Sequence, residues 1–121
     1  MTNVVIIDEL IGRTFANVTS ENDEVHFVLD GGKYFRFYHE QDCCESVYIE
    51  SIEGDLSDLE GSPILMAEEV SESGADEGSW ESYTWTFYKF ATIKGTVVVR
   101  FYGSSNGYYS ESVYYGWEEA Q

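Results

Sequence analysis

Apolar and polar residues alternate along most of this chain with a period near two, the spacing of a strand with one dry face, and nowhere sustain the 3.6-residue period of a long helix. β-Branched and aromatic runs at residues 14–19, 24–30, 46–52, 64–70, 85–91, 96–102 and 108–115 are separated by clusters of Gly, Ser, Asn and Asp, which predicts strands joined by turns. The short apolar run 4–7 fits a first strand or the start of a helix, and we assign it to strand. Ser20-Glu21-Asn22-Asp23 forms the next turn. Asp30-Gly31-Gly32-Lys33 is a stronger signal, since two glycines suit both positive-φ positions of a type I′ hairpin. A two-residue Gly-Gly loop sets Val28 opposite Phe35, His26 opposite Phe37 and Glu24 opposite His39. Val25, Phe27, Leu29, Tyr34 and Tyr38 then share the other face with Arg36, so both faces are apolar and the hairpin is expected to be covered on both sides.

Residues 54–61 carry Leu56 and Leu59 at an i, i+3 spacing and read as one helical turn stopped by Pro63. Residues 71–79 read as a mobile loop. In the hairpin around Ile93-Lys94-Gly95, a two-residue Lys94-Gly95 loop would oppose Lys89 and Arg100. A three-residue loop avoids that repulsion and places Trp85, Phe87, Val97, Val99 and Phe101 on one core stripe, interrupted by Lys89. Residues 103–107 form a turn before the final strand, and Trp117 falls in a tail. The expected fold is mainly β: a single antiparallel domain over residues 1–121, a sheet or sandwich of about seven or eight short strands, with one or two short helical turns.

Charge changes the picture more than size does. The 121 residues are 43% hydrophobic and 17% aromatic, enough for a core, yet the net charge is −17. Residues 37–88 contain 14 Asp or Glu and no Lys or Arg. Direct binding of nucleic acid or an anionic membrane is disfavoured, because both require Lys and Arg against phosphate. The first ten residues lack a basic segment and no run reaches membrane-spanning length. Cys43 and Cys44 are adjacent, a spacing that strains a bridge, so we expect free thiols in a reducing compartment. The expected location is therefore the cytoplasm. Asn17-Val18-Thr19 matches a glycosylation sequon that this context leaves without weight.

Several constellations carry candidate chemistry. His39, Asp42, Cys43, Cys44 and Glu45 gather metal-binding residue types within seven positions, but the spacing fits no zinc pattern and no second cluster completes four ligands. Packing is the favoured reading and metal the alternative. A Cys–His nucleophile is opposed by the surrounding acids, which disfavour a thiolate. Glu24 opposite His39 offers an ion pair that would orient the ring. Asp55-x-x-Asp58-x-Glu60 lacks the order of a calcium loop. Carboxylates are too abundant for any pair to signal a glycosidase, and no phosphate-binding, dinucleotide, zincin or nucleophile-elbow motif occurs. We therefore expect neither an enzyme nor a cofactor. Tyr108 and Tyr109 with Asn106 and Arg100 could build a stacking pocket for a nucleotide signal.

The sharper reading concerns the acidic stretch. Glu50, Glu53, Asp55, Asp58, Glu60, Glu68, Glu69 and Glu72 are the candidate partner-binding residues. On strand and loop, they would present negative charge to a Lys- and Arg-lined groove and compete there with DNA or RNA. The expected partner is a basic host protein, a nucleic-acid-binding enzyme or a defence complex.

The runs His39-Glu40-Gln41-Asp42-Cys43-Cys44-Glu45-Ser46-Val47, Gly54-Asp55-Leu56-Ser57-Asp58-Leu59-Glu60-Gly61 and Pro63-Ile64-Leu65 resemble a family of small acidic proteins of unknown function frequent in bacteriophages and prophages. Trp85-Thr86-Phe87-Tyr88-Lys89-Phe90-Ala91-Thr92 and Ser105-Asn106-Gly107-Tyr108-Tyr109-Ser110 are similar to it too. The resemblance implies a phage accessory protein that blocks a host defence or nucleic-acid enzyme, such as a CRISPR nuclease or restriction enzyme. It implies no catalytic residues.

Overall fold

Aromatic residues at every second position decide which face of each strand is dry. In the computed structural model, which describes residues 6–75, 82–106 and 110–119, eight strands form two four-stranded antiparallel sheets. They are β1 (Asn17–Glu21), β2 (Glu24–Val28), β3 (Tyr34–Tyr38), β4 (Ser46–Glu53), β5 (Met66–Ala75), β6 (Ser82–Thr92), β7 (Gly95–Ser105) and β8 (Tyr114–Glu118). The first sheet has the order β1-β2-β3-β8 and the second β4-β7-β6-β5. The mainly β, antiparallel expectation holds, and two 3-10 turns, Ile7–Leu10 and Leu56–Leu59, accompany the strands.

The core lies between the sheets. Val25, Phe27, Phe35 and Phe37 of the first meet Tyr88, Phe90, Val97, Val99 and Phe101 of the second, all buried. The ring centroids of Phe37 and Tyr88 are 4.8 Å apart, and those of Phe27 and Phe90 4.9 Å apart. Each such ring removed from water stabilises by about 1.5–3 kcal/mol. Residues 11–16 run along 60–64 and close one side of the sandwich: Gly12 N–H donates to the Ile64 carbonyl, Ile64 N–H to Arg13, and Gly61 N–H to Phe15. Two edge strands have an amide capped by a carboxylate, Val18 N–H by Glu60 and Ile49 N–H by Asp23. Such caps blunt edges that would otherwise pair with another chain.

Six expectations are corrected. Ile7 opens a 3-10 turn rather than ending a strand, because Ile7 and Leu10 are both buried and a 3-10 turn aligns residues three apart; residues 4 and 5 lie outside the described residues. The first hairpin has a three-residue loop, since Leu29 N–H donates to Lys33 O. The register thus shifts by one, to Val28–Tyr34, Phe27–Phe35, His26–Arg36 and Val25–Phe37. One slip turns every side chain to the opposite face, so Val25, Phe27, Phe35 and Phe37 all point inward and the other face meets solvent.

The second hairpin also shifts by one, but its loop shortens: Thr92 pairs with Gly95 across a two-residue Ile93-Lys94 loop. Tyr88 and Phe90 are therefore inside with Val97, Val99 and Phe101, while Trp85 and Phe87 lie outside. Lys89 still avoids Arg100, because it faces Val98. β5 continues through Ala75, so residues 71–75 of the expected loop are strand; residues 76–79 lie outside the described residues. Gly103–Ser105 likewise belongs to β7. The last strand begins at Tyr114, later than expected, and includes Trp117, whose indole packs 5.0 Å from Phe35 and receives the Arg13 guanidinium at 4.8 Å.

Candidate functional site

Four strands of the second sheet present their outward residues as a grid. Direct cross-strand neighbours form the row Tyr48, Tyr102, Trp85, Glu72 from β4 to β5. The next row is Ser51, Arg100, Phe87, Val70, and the third is Glu53, Val98, Lys89, Glu68. Adjacent strands stand about 4.8 Å apart, so the grid is about 14 Å wide, and its rows are about 6.8 Å apart. Trp85 and Tyr102 approach to 4.5 Å, and Tyr48 and Tyr102 to 5.8 Å. Arg100 lies 5.3 Å from both the Trp85 and Phe87 rings and donates to Glu50 Oε2 at 3.2 Å. Tyr48 is 39% and Val70 55% exposed, so an apolar centre faces outward.

Carboxylates rim that centre. Glu50, at the bulge of β4, and Glu53 stand along one edge, and Glu68 and Glu72 along the other; all four are exposed. Only Glu50 among the eight predicted carboxylates has an ion-pair partner among the described residues, and that exposed pair contributes little. The remaining cations paired with carboxylates are elsewhere: Arg36 holds Glu24 at 2.8 Å and Glu118 at 3.5 Å, and Lys33 reaches Glu119 at 3.9 Å. The Arg36 guanidinium beside Glu24 keeps that carboxyl below its usual range.

The other predicted carboxylates are not on this grid. Asp55 caps the Leu56–Leu59 turn, accepting from Ser57 N–H and Oγ, which lowers its pKa. Asp58, in that turn, uses its backbone carbonyl to accept from Thr92 Oγ1, and Glu60 caps β1. These three sit at one end of the sandwich. Glu69 faces the inner side of β5 and accepts from the buried Tyr88 hydroxyl at 2.6 Å. Of the alternative nucleotide residues, Arg100 belongs to the outer grid and Asn106 is exposed beyond β7; Tyr108 and Tyr109 lie outside the described residues.

The cysteine loop is organised around Glu45, whose side chain is buried. Glu45 accepts from Asp42 N–H and Cys43 N–H, both at 2.9 Å, and from Gln41 Nε2. The Cys43 amide foremost, with the Asp42 amide and the His39 ring, holds its pKa at about 2 despite burial. His39 contacts Glu45 through Nε2 at 2.8 Å and the Ser112 carbonyl through Nδ1 at 2.6 Å. Both partners are acceptors, and the ring is held between them. The expected Glu24–His39 pair is thus replaced, because the hairpin slip gives Glu24 to Arg36 and His26. Cys43 and Cys44 are joined by a disulfide, which corrects the free-thiol expectation and removes that argument for a reducing compartment. The bridge lies on an exposed loop whose Asp42 and Cys43 amides donate to Glu45. No group of three His, Cys, Asp or Glu is placed to hold a metal among the described residues; the donors of this loop serve one another.

Sequence reasoning assigned Trp85 and Phe87 to the core and so missed the aromatic centre of the outer face. The available signal was Lys89, which shares their side of β6 and belongs in water.

A family model described as a domain of unknown function (DUF7448) matches residues 8–115, and the chain belongs to that family. No curated protein and no solved structure matches it.

Proposed function

We propose that this DUF7448 protein is a phage accessory protein that binds and inhibits a basic host nucleic-acid-handling or defence protein, through the open face of its second sheet. The observation that carries this reading is an outward-facing, half-buried aromatic centre bordered on both edges by the exposed Glu50, Glu53, Glu68 and Glu72. Protein interfaces have that anatomy, an apolar core within a polar rim, and their strongest contacts favour Trp, Tyr and Arg. The rim selects a partner rich in Lys and Arg, and the rings accept guanidinium groups by cation–π contact. Occupying such a surface displaces DNA or RNA from it. The resemblance of the His39–Val47 and Gly54–Gly61 runs to a family frequent in phages and prophages supports the setting, and the bacterial cytoplasm is where such a partner is met. No helix among the described residues is long and apolar enough to cross a membrane.

The test is DNA cleavage by a panel of purified CRISPR nucleases and restriction enzymes with the protein added. Inhibition of a panel member, weakened at least tenfold by Glu50→Lys, Glu53→Lys, Glu68→Lys and Glu72→Lys together, supports the reading. A panel that cleaves undisturbed, or equal inhibition by the variant, contradicts it.

A further inference from the structure

On the opposite side of the same sheet the interior changes character. The strands of the first sheet are five residues long, whereas β5, β6 and β7 have 10, 11 and 11 residues, so part of the second sheet's inner face has no sheet over it. There the inward positions turn from Phe and Val to hydroxyls: Ser71 opposite Thr86, Ser73 opposite Thr84, and Ser82 opposite Ser105. The segment 110–113 crosses this face and brings Glu111 onto it. Gly103 permits that crossing, because a Cβ there would lie 3.0 Å from the Glu111 Cβ and 3.1 Å from its carbonyl oxygen.

The result is a cleft of about 440 Å³ lined by Ser and Thr hydroxyls and two carboxylates, with no Lys, Arg or His among the described residues. Glu111, 9% exposed, accepts from Ser82, Ser105 and Thr84. Burial pushes its carboxyl up, but those three hydroxyls outweigh burial and hold it below the usual range, so it carries its charge at neutral pH. Three hydrogen bonds leave acceptor capacity on its two oxygens. Glu69 stands at the other end, held through Oε2 by Tyr88. Tyr88 and Thr84, the β6 partners of the two carboxylates, are four residues apart, about 13.6 Å along the strand. Pockets of this volume hold small molecules.

We propose that this cleft binds a linear aliphatic polyamine, with one ammonium at Glu111, another at Glu69, and the hydroxyls of Ser71, Ser73, Thr84 and Thr86 accepting the remaining N–H groups. The two ends select a dication over a monoamine, and the absence of a lining cation excludes phosphorylated ligands from it. The site is independent of the outer face, because neighbouring residues on a strand point to opposite sides of the sheet.

Isothermal titration calorimetry with spermidine tests this. One-to-one binding is expected, at least tenfold weaker for Glu111→Gln and at least fivefold weaker for Glu69→Gln, which leaves the buried network of Glu111 intact. Butylamine and the neutral polyol erythritol should each bind at least tenfold more weakly than spermidine. Glu50→Gln, Glu68→Gln and Glu72→Gln combined should change the affinity less than twofold. Non-stoichiometric binding, equal affinity for erythritol, insensitivity to Glu69→Gln, or an equal loss in the outer-face variant would each overturn the assignment.

Discussion

Phe87, expected in the core, lies on the outer face, whereas Phe37 sits at the centre of the core, and truncating each measures the difference. Phe37 is 1% exposed and is surrounded by the rings of Phe27, Phe35, Tyr88, Phe90 and Tyr115 at 4.8–5.9 Å. Phe37→Ala leaves a cavity that the second sheet cannot fill without moving, and such truncations cost about 3–5 kcal/mol. Phe87 is half-buried on the outer face, with Trp85 6.3 Å away and Arg100 over its ring. Phe87→Ala forfeits about half the transfer energy of the ring and opens no cavity, about 1 kcal/mol. With a urea dependence of about 2 kcal/mol per molar, the unfolding midpoint should fall by about 2 M for Phe37→Ala and by about 0.5 M for Phe87→Ala. Urea titrations followed by circular dichroism supply the readout. Equal midpoints for the two variants, or a larger loss for Phe87→Ala, would refute the register and remove the aromatic centre from the outer face.

Gly54→Ala should destabilise strongly: its φ is +99° and a Cβ would lie 2.5 Å from the Thr96 carbonyl oxygen, so the left-handed backbone alone costs about 1–3 kcal/mol. Gly116→Ala, with open space at the Cβ position, should stay within about 0.5 kcal/mol; thermal melts compare the two. Glu24, Glu45, Asp55 and Glu111 all have lowered pKa values in the folded state, so the folded protein binds fewer protons than the unfolded chain. Their stabilisation is present above the unfolded carboxyl range near pH 4.5 and is lost as pH falls towards about 2. Urea midpoints measured across that interval should decline, and Glu45→Gln should flatten the lowest part of the decline. Partner inhibition should weaken several-fold as salt rises from about 0.05 to about 0.2 M, read as the half-inhibitory concentration in the cleavage assay.

The strand content and most strand positions were legible because burial repeats every second residue, and Leu56 with Leu59 and Pro63 marked the short turn. Registers were harder, since they depend on loop length. Gly31-Gly32 suits a two-residue loop, yet Leu29 and Lys33 close a three-residue one and bring four aromatic or β-branched side chains to the same side. In the second hairpin, keeping Lys89 from Arg100 was the correct criterion, but two registers satisfy it. The decisive fact is that Tyr88 can bury its ring while Glu69 accepts from its hydroxyl, and that contact comes from β5, outside the β6–β7 hairpin. The polar cleft left a trace, Ser or Thr at 71, 73, 82, 84 and 86, which alternation alone presents as a solvent face. That the first sheet is too short to cover it is a property of the assembled sandwich.

Carboxylate footprinting of the protein bound to an inhibited nuclease examines the proposed surface most directly. Carbodiimide labelling of Glu50, Glu53, Glu68 and Glu72 should fall at least fivefold on binding, while Glu21, Glu40 and Glu119, exposed outside the outer grid, keep their labelling. Protection centred on those three instead, with the outer face still labelled, would contradict the account.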